Sequence, residues 1–531
     1  MPVVTIREQH KTGTGFEAIL SFDDRVEYSV TIADPFTPKE EKQLEWYFEE
    51  WLNFPSTKTV KAEKTAQSIK DYGENLFQQV FKINFDAYSQ YKQLQGVLSQ
   101  LQIEIVSKTP EFQALHWEAM RDRDLPRPLA VDCVVVRKSI KPVSVPADVQ
   151  PCPLINLLVV VARPNEEHDV GYRTISRPLI EAIQNSQLRV NVELLRPGTY
   201  EALERHLEEK GAGFYHIIHF DAHGALKTFQ ELEDGATANQ YTYQARYGRL
   251  DLQPYDGVKA FLFLEGETKG KPDPVEAGEL ADLLTGKRIP VCILNACQSG
   301  IQIRSDDYRE TSLGSRLMAA GMQMVVAMGY SVTVSAAALL IESFYTNLFN
   351  KKDITEALRL GRRELYNRKE RQGYFNQTLK LEDWLLPVVY RNKAVNLNLQ
   401  EFTAEEKEKY FLSKSKQYRF LLPTYDFIGR DLEILKIEKA LLRHNILLLQ
   451  GMGGTGKTTL LKYLQEWWQT THFANDVFYF GYDEKAWTLE QILFEISGRV
   501  YEDKYQRAMF QATPQPAQME ELAERRCTIE E

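Results

Sequence analysis

From about residue 155 the chain sets short, unbroken apolar runs between stretches whose apolar residues recur at i, i+3 and i+4. The runs "INLLVVVA", "LRVNVELL", "FYHIIHF", "AFLFLEG", "IPVCILNAC" and "MQMVVAM" predict strands. The stretches "ISRPLIEAIQ", "TYEALERHLEEKG", "AGELADLLTG" and "SLGSRLMAAG" predict helices, as do "SAAALLIESFYTNLF" and "ITEALRLGRRELYNR". A strand that is apolar at successive positions is buried on both faces. The order therefore predicts an α/β fold, a mostly parallel sheet with helices on both faces.

The flanks differ. Residues 1–100 open with alternating runs, "FEAILSF" and "RVEYSVTI", then two helical patterns, "PKEEKQLEWYFEEWLNF" and "AEKTAQSIKDYGENLFQQVF". They predict an α+β support or interaction region. The next domain is expected over 101–395, opening with "LQIEIVS", "FQALHWEAM" and "AVDCVVVRKSI" as strands. The polar stretch "TAEEKEKYFLSKSKQ" predicts a linker over 396–423. Residues 424–531 predict a partial α/β domain. It contains "FIGRDLEILKIEKALL", strand "NILLLQ", loop "GMGGTGKTT", helix "LLKYLQEWWQ", strand "DVFYFGY" and helix "LEQILFEISGRV".

Composition narrows the class. The chain is 43% hydrophobic and 26% charged, as globular proteins are, and its net charge of -10 argues against general affinity for nucleic acid or anionic membrane. No apolar run reaches the roughly 18 residues that span a bilayer. The first residues lack the apolar core of a secretory signal. Five scattered cysteines without metal-ligand spacing predict a reduced, cytoplasmic protein.

Two strand ends carry chemistry. Cys297 follows the run "IPVCILNA", and His223 follows "YHIIHFDA" and precedes Gly224. Ligands bind outside the carboxyl ends of strands in open α/β sheets, so the two can share one crevice. A thiol becomes a useful nucleophile when a histidine takes its proton. A glycine after each residue or close to it, Gly224 and Gly300, allows a tight turn. His216, His219 and Cys292 lie inside their runs and are expected to pack or orient. Spacing alone leaves Cys297 open as nucleophile or as a buried strand-end residue.

"HFDAHG" followed by "ILNACQSG" resembles the histidine and cysteine motifs of the CHAT family, caspase-like peptidases of the group that includes separase and gingipain. "FQALHWEAMRD", "AGELADLL" and "SLGSRLMAAGMQMVVAMGYSVTVSAAALLIESFYTNL" extend the resemblance over about residues 100–395. It implies a cysteine endopeptidase acting on a protein substrate. Cys297 would be the nucleophile and His223 the acid and base, and the backbone N–H groups of Gly224 and Cys297 would form the oxyanion hole. Where many relatives carry Trp and, four positions on, an acid, this chain has Tyr330 and Val334. Relatives often cut after a basic residue. Asp221, Asp306, Asp307 and Glu310 are candidates for holding it, and each taken singly is as well explained as a solvated loop charge.

"GMGGTGKTT" matches G-x-x-x-x-G-K-[ST] from Gly451 to Thr458. Gly451, Gly453, Gly454, Thr455 and Gly456 would turn backbone N–H groups toward phosphate oxygens. Lys457 would neutralise the outer phosphates, Thr458 would hold Mg²⁺, and Thr459 continues the motif. The expected cofactor is ATP or another nucleoside triphosphate with Mg. "FIGRDLEI" resembles the entry of STAND-type signalling NTPases, the NB-ARC and NACHT group. That resemblance implies a nucleotide switch, a C-terminal sensor region or partner chain, and homo-oligomerisation on activation. Fusions of this kind imply a role in bacterial defence or regulated cell death. After residue 500 no window has four consecutive apolar residues, so no Walker B strand is seen. Either the chain belongs to a longer or split protein, the preferred reading, or its nucleotide site is vestigial, and nucleotide binding without hydrolysis is expected. The competing expectation is a nucleotide-dependent scaffold with a non-catalytic caspase-like docking domain.

Overall fold

The computed structural model describes the whole chain except residues 14, 54–56, 141–147, 167–168, 170, 174–175, 186–188, 238–252, 267–269, 296–312, 331, 351, 373–376, 417–426, 428, 483–484 and 501–531. It divides into two compact units. One is Met1–Asn191 with Gly198–Gln400, and the other is Val192–Pro197 with Glu401–Glu531.

The first four strands are β1 (Val3–Lys11), β2 (Phe16–Phe22), β3 (Val26–Ile32) and β4 (Gln102–Ser107). Next come β5 (Val134–Ser139), β6 (Ile155–Val161), β7 (Val190–Leu195) and β8 (Ile217–Asp221). Then follow β9 (His223–Thr228), β10 (Val258–Glu265), β11 (Pro272–Glu276) and β12 (Val291–Asn295). The last are β13 (Met324–Met328), β14 (Glu370–Gln372), β15 (Thr378–Lys380) and β16 (Pro387–Arg391). Eleven of them form one sheet, in the order β3-β2-β1-β4-β5-β16-β13-β12-β8-β6-β7.

The sheet contains two parallel blocks. β1, β4, β5 and β16 run one way. β13, β12, β8 and β6 run the other, and the reversal lies at the antiparallel β13–β16 pair. The second block is built from the apolar runs: every residue of β6, β8 and β13 is buried. β2 and β3 add an antiparallel edge beside β1.

Four expectations are corrected. The boundary at residue 100 falls inside this sheet, because β1 pairs in parallel with β4 from Val3 opposite Gln102 to Arg7 opposite Val106. "FQALHWEAM" is not a strand. It forms short helical turns, Pro110–Gln113 and Trp117–Ala119, with the Trp117 indole donating to the Phe112 carbonyl. The expected linker contains a helix, Ala404–Lys416. "AFLFLEG" becomes β10 of a separate three-stranded sheet with β9 and β11.

In the second unit the helices Asp431–Leu441, Lys457–Thr470 and Leu489–Val500 form where periodicity placed them. The strands "NILLLQ" and "DVFYFGY" do not form. Among the described residues no neighbouring chain supplies a ladder for 445–450, and Ile446 and Leu448 stand 88% and 76% exposed. An apolar run is a strand only when another strand takes its backbone hydrogen bonds.

Candidate active site

Register brings the strand ends into line. Asp221, the last residue of β8, lies opposite Asn295, the last of β12, and opposite Val161, the last of β6. Extending the β12–β13 register by two residues places Met328 opposite Asn295. Two residues beyond these aligned positions the sequence carries Arg163, His223, Cys297 and Tyr330. Three positions of this edge, Arg163, His223 and Tyr330, are described, and β12 between the last two ends at Asn295, two residues before Cys297 in the sequence, with strands about 4.8 Å apart. Cys297 itself lies outside the described residues, as do Asp306, Asp307 and Glu310.

His223 does not stand in a tight turn, as the following glycine predicted. It opens β9, opposite Phe263, with Gly224 opposite Leu262. After a bend at Ala222 the chain leaves the large sheet and continues as an extended strand paired with β10. The imidazole is 45% exposed, and its Nε2 lies 2.7 Å from Asp169 Oδ1, a carboxylate only 2% exposed. Asp169 also accepts from the Asn165 N–H at 2.8 Å through Oδ2. Burial pushes the Asp169 carboxyl up. The His223 hydrogen bond outweighs it, with the Asn165 N–H and the charges of His223 and Arg163, and the net shift is downward. Sequence reasoning missed Asp169. It lies in the segment after β6 and no motif marks it.

Below the edge the strand ends are tied by charge. Arg163 Nη2 donates to Asp221 Oδ2 at 2.5 Å, and Nη1 donates to the Asp221 carbonyl at 2.8 Å. The Arg163 N–H donates to Glu265 at 3.1 Å. Asn295 Nδ2 donates to the other oxygen of Asp221 at 3.2 Å. Asp221 is thus a buried structural anchor, not a carboxylate open to a substrate. Tyr330 is also buried. Its hydroxyl donates to Glu41 at 2.8 Å and its ring stacks on Phe48 at 5.3 Å. Val334 opens the helix Val334–Phe349.

His219 lies mid-β8 with Nδ1 3.0 Å from the Tyr345 hydroxyl, and His216 Nδ1 accepts from the Asn156 N–H at 3.0 Å. Burial lowers each ring to about 4. Burial also pushes the Cys292 thiol far up, which makes it a poor nucleophile.

In the other unit the phosphate-loop residues are close together without a preceding strand. Gly454 and Gly456 adopt positive φ, and Gly456 caps the helix Lys457–Thr470. Lys457 Nζ donates to the carbonyls of Gly451 and Met452 at 2.7 and 2.8 Å. The Thr455 hydroxyl donates to Met452 at 2.9 Å, and Arg430 donates to the Thr455 carbonyl. Gly453 is exposed, Thr458 is exposed and Thr459 half-buried at the start of the helix. Lys457 thus opens the helix while its ammonium folds back onto the loop carbonyls.

The CHAT domain family matches residues 70–418. The Arg-specific cysteine proteinase gingipain R (RGPB) is 10% identical, with a TM-score of 0.34 over 62% of this chain and 76% of that one. The Saccharomyces cerevisiae separase–securin complex is 10% identical, with a TM-score of 0.36 over 73% of this chain and 30% of that one. At these TM-scores neither transfers a residue or an activity. No curated protein matches the sequence.

Proposed function

The chain belongs to the CHAT domain family, and from that premise we propose that it is a cysteine endopeptidase acting through Cys297 and His223. The observation that carries the proposal is the β8–β12 register. His223 and Cys297 each follow a strand end by two residues, and those ends face one another as Asp221 and Asn295. In this reading the Cys297 sulfur attacks the scissile carbonyl carbon and its proton passes to His223. The carbon–nitrogen bond then breaks as the leaving amine takes that proton, and water hydrolyses the thioester. The backbone N–H groups of Gly224 and Cys297 would stabilise the oxyanion.

The phosphate loop would bind ATP or another nucleoside triphosphate with Mg. Lys457 would exchange its two loop carbonyls for phosphate oxygens, and Thr458 would reach the metal. The same reading makes nucleotide the regulator of the peptidase. Cleavage profiling of a proteome by wild type, Cys297→Ala and His223→Ala tests the peptidase, with and without MgATP. New termini should appear with wild type only. The same termini with Cys297→Ala would remove the peptidase reading and leave a docking domain. ATP turnover that is lost in Lys457→Ala would contradict binding without hydrolysis.

A further inference from the structure

We infer that Asp169 is the positioning residue of this site, holding His223 in the tautomer that accepts the thiol proton on Nδ1; the inference rests on the peptidase reading above. The topology carries it. β8 lies between β12 and β6 in the sheet. The segment after β12 carries Cys297. The segment after β6 carries Asp169. The imidazole therefore meets a buried carboxylate from the segment that follows β6, and the strand on the other side of β8 is the one whose sequence runs on to Cys297.

Chemistry fixes the direction of the proton. Asp169 is ionised at neutral pH and can only accept, so Nε2 donates across the 2.7 Å contact. A neutral ring with its proton on Nε2 has its basic lone pair on Nδ1. When the thiol proton moves to Nδ1 the ring becomes an imidazolium, Asp169 stays ionised, and the new charge lies beside a buried carboxylate. The Asn165 N–H holds the other carboxylate oxygen, which fixes the rotamer of Asp169. Arg163, whose charge also acts on Asp169, binds Asp221 and Glu265. Phe263, opposite His223 on β10, carries no charge. Asp169 puts its charge in direct contact with the ring, at 2.7 Å.

The test is the rate of Cys297 alkylation by iodoacetamide between pH 5 and 9, followed by peptide mass spectrometry. The full-length proteins are wild type, Asp169→Asn, Asp169→Glu and His223→Ala. An opposite charge at this distance moves a titration by at least about one unit. Asp169→Asn should therefore slow alkylation about tenfold at pH 6.5, and by less than about twofold at pH 9. Asp169→Glu should recover most of the loss. Equal slowing at every pH would show a packing role and overturn the inference, as would no slowing. If Cys297 in wild type reacts no faster than Cys292, and His223→Ala changes nothing, the peptidase reading itself fails. If His223→Ala slows the reaction and Asp169→Asn does not, only the assignment of Asp169 fails. Should Asp169→Asn not fold, wild-type protein labelled with ¹⁵N-histidine decides, with His223→Ala identifying the signal. A proton on Nε2 supports the assignment, and a proton on Nδ1 overturns it.

Discussion

His219 shows what a buried residue contributes where catalysis does not need it. Burial lowers its ring to about 4, against about 6.5 in an unfolded chain. Below pH 6.5 the unfolded chain takes up a proton that the folded one refuses. The stability due to the neutral ring is complete above pH 6.5 and is lost as pH falls toward 4. His219→Phe should make the urea midpoint fall less steeply over that window, with His216 acting equally in both proteins. Identical slopes would contradict the buried, neutral ring. Asp221 makes a related point. As a sequence position it was one of four acids that a basic substrate residue could need. Its partner Arg163 is 58 positions away, so nothing local announced the pair. Removing one partner of a buried ion pair costs about 3–5 kcal/mol. Asp221→Asn should therefore lower the melting temperature sharply and leave the preferred cleavage residue unchanged. A changed preference with an unchanged melt would return Asp221 to the substrate pocket.

At the scale of elements, periodicity found what burial alone decides. The strands of the second parallel block were legible because their runs are apolar at every position. Pairing was not legible, since a ladder partner can lie anywhere in the chain. This is why "NILLLQ" looked like a strand, and why the β1–β4 pairing that closes the N-terminal region onto the sheet was invisible. Close approach between elements was equally hidden. Gly73 lies within the helix Thr59–Phe77, where a β-carbon would stand 1.8 Å from the Ala119 carbonyl oxygen, and Arg121 donates its N–H to the Gly73 carbonyl. Gly498, in the helix Leu489–Val500, has nothing within 4 Å of that position. Alanine favours a helix interior over glycine by about 1 kcal/mol. At Gly73 that gain is outweighed, because backbone cannot swing aside as a side chain can. Chemical denaturation should show Gly73→Ala losing about 2 kcal/mol or more, in the range of overpacked cores. Gly498→Ala should be neutral or stabilising by up to about 1 kcal/mol. The reverse order would refute the close approach.

For the whole molecule the open question is whether the phosphate loop and the strand-end dyad share a free energy. The histidine half of the dyad and the loop belong to different compact units. The sequence showed both motifs and could not show a link, because a link is a property of two states and not of residues. Lys457 supplies the handle. It lies on the carbonyls of its own loop, and a bound triphosphate would have to draw it away, which would give the loop a second arrangement. If one of the two favours the reactive dyad, thermodynamic linkage demands a reciprocal effect. A peptide aldehyde, which adds reversibly to a nucleophilic thiol, reads the dyad. ATP binding by calorimetry reads the loop. We expect MgATP to change aldehyde affinity by about fivefold or more, and the aldehyde to change ATP affinity by the same factor. Lys457→Ala should abolish both changes while leaving aldehyde binding without nucleotide intact. Tight binding of both ligands with no mutual effect would make the loop an independent module and end the case for nucleotide control of the peptidase.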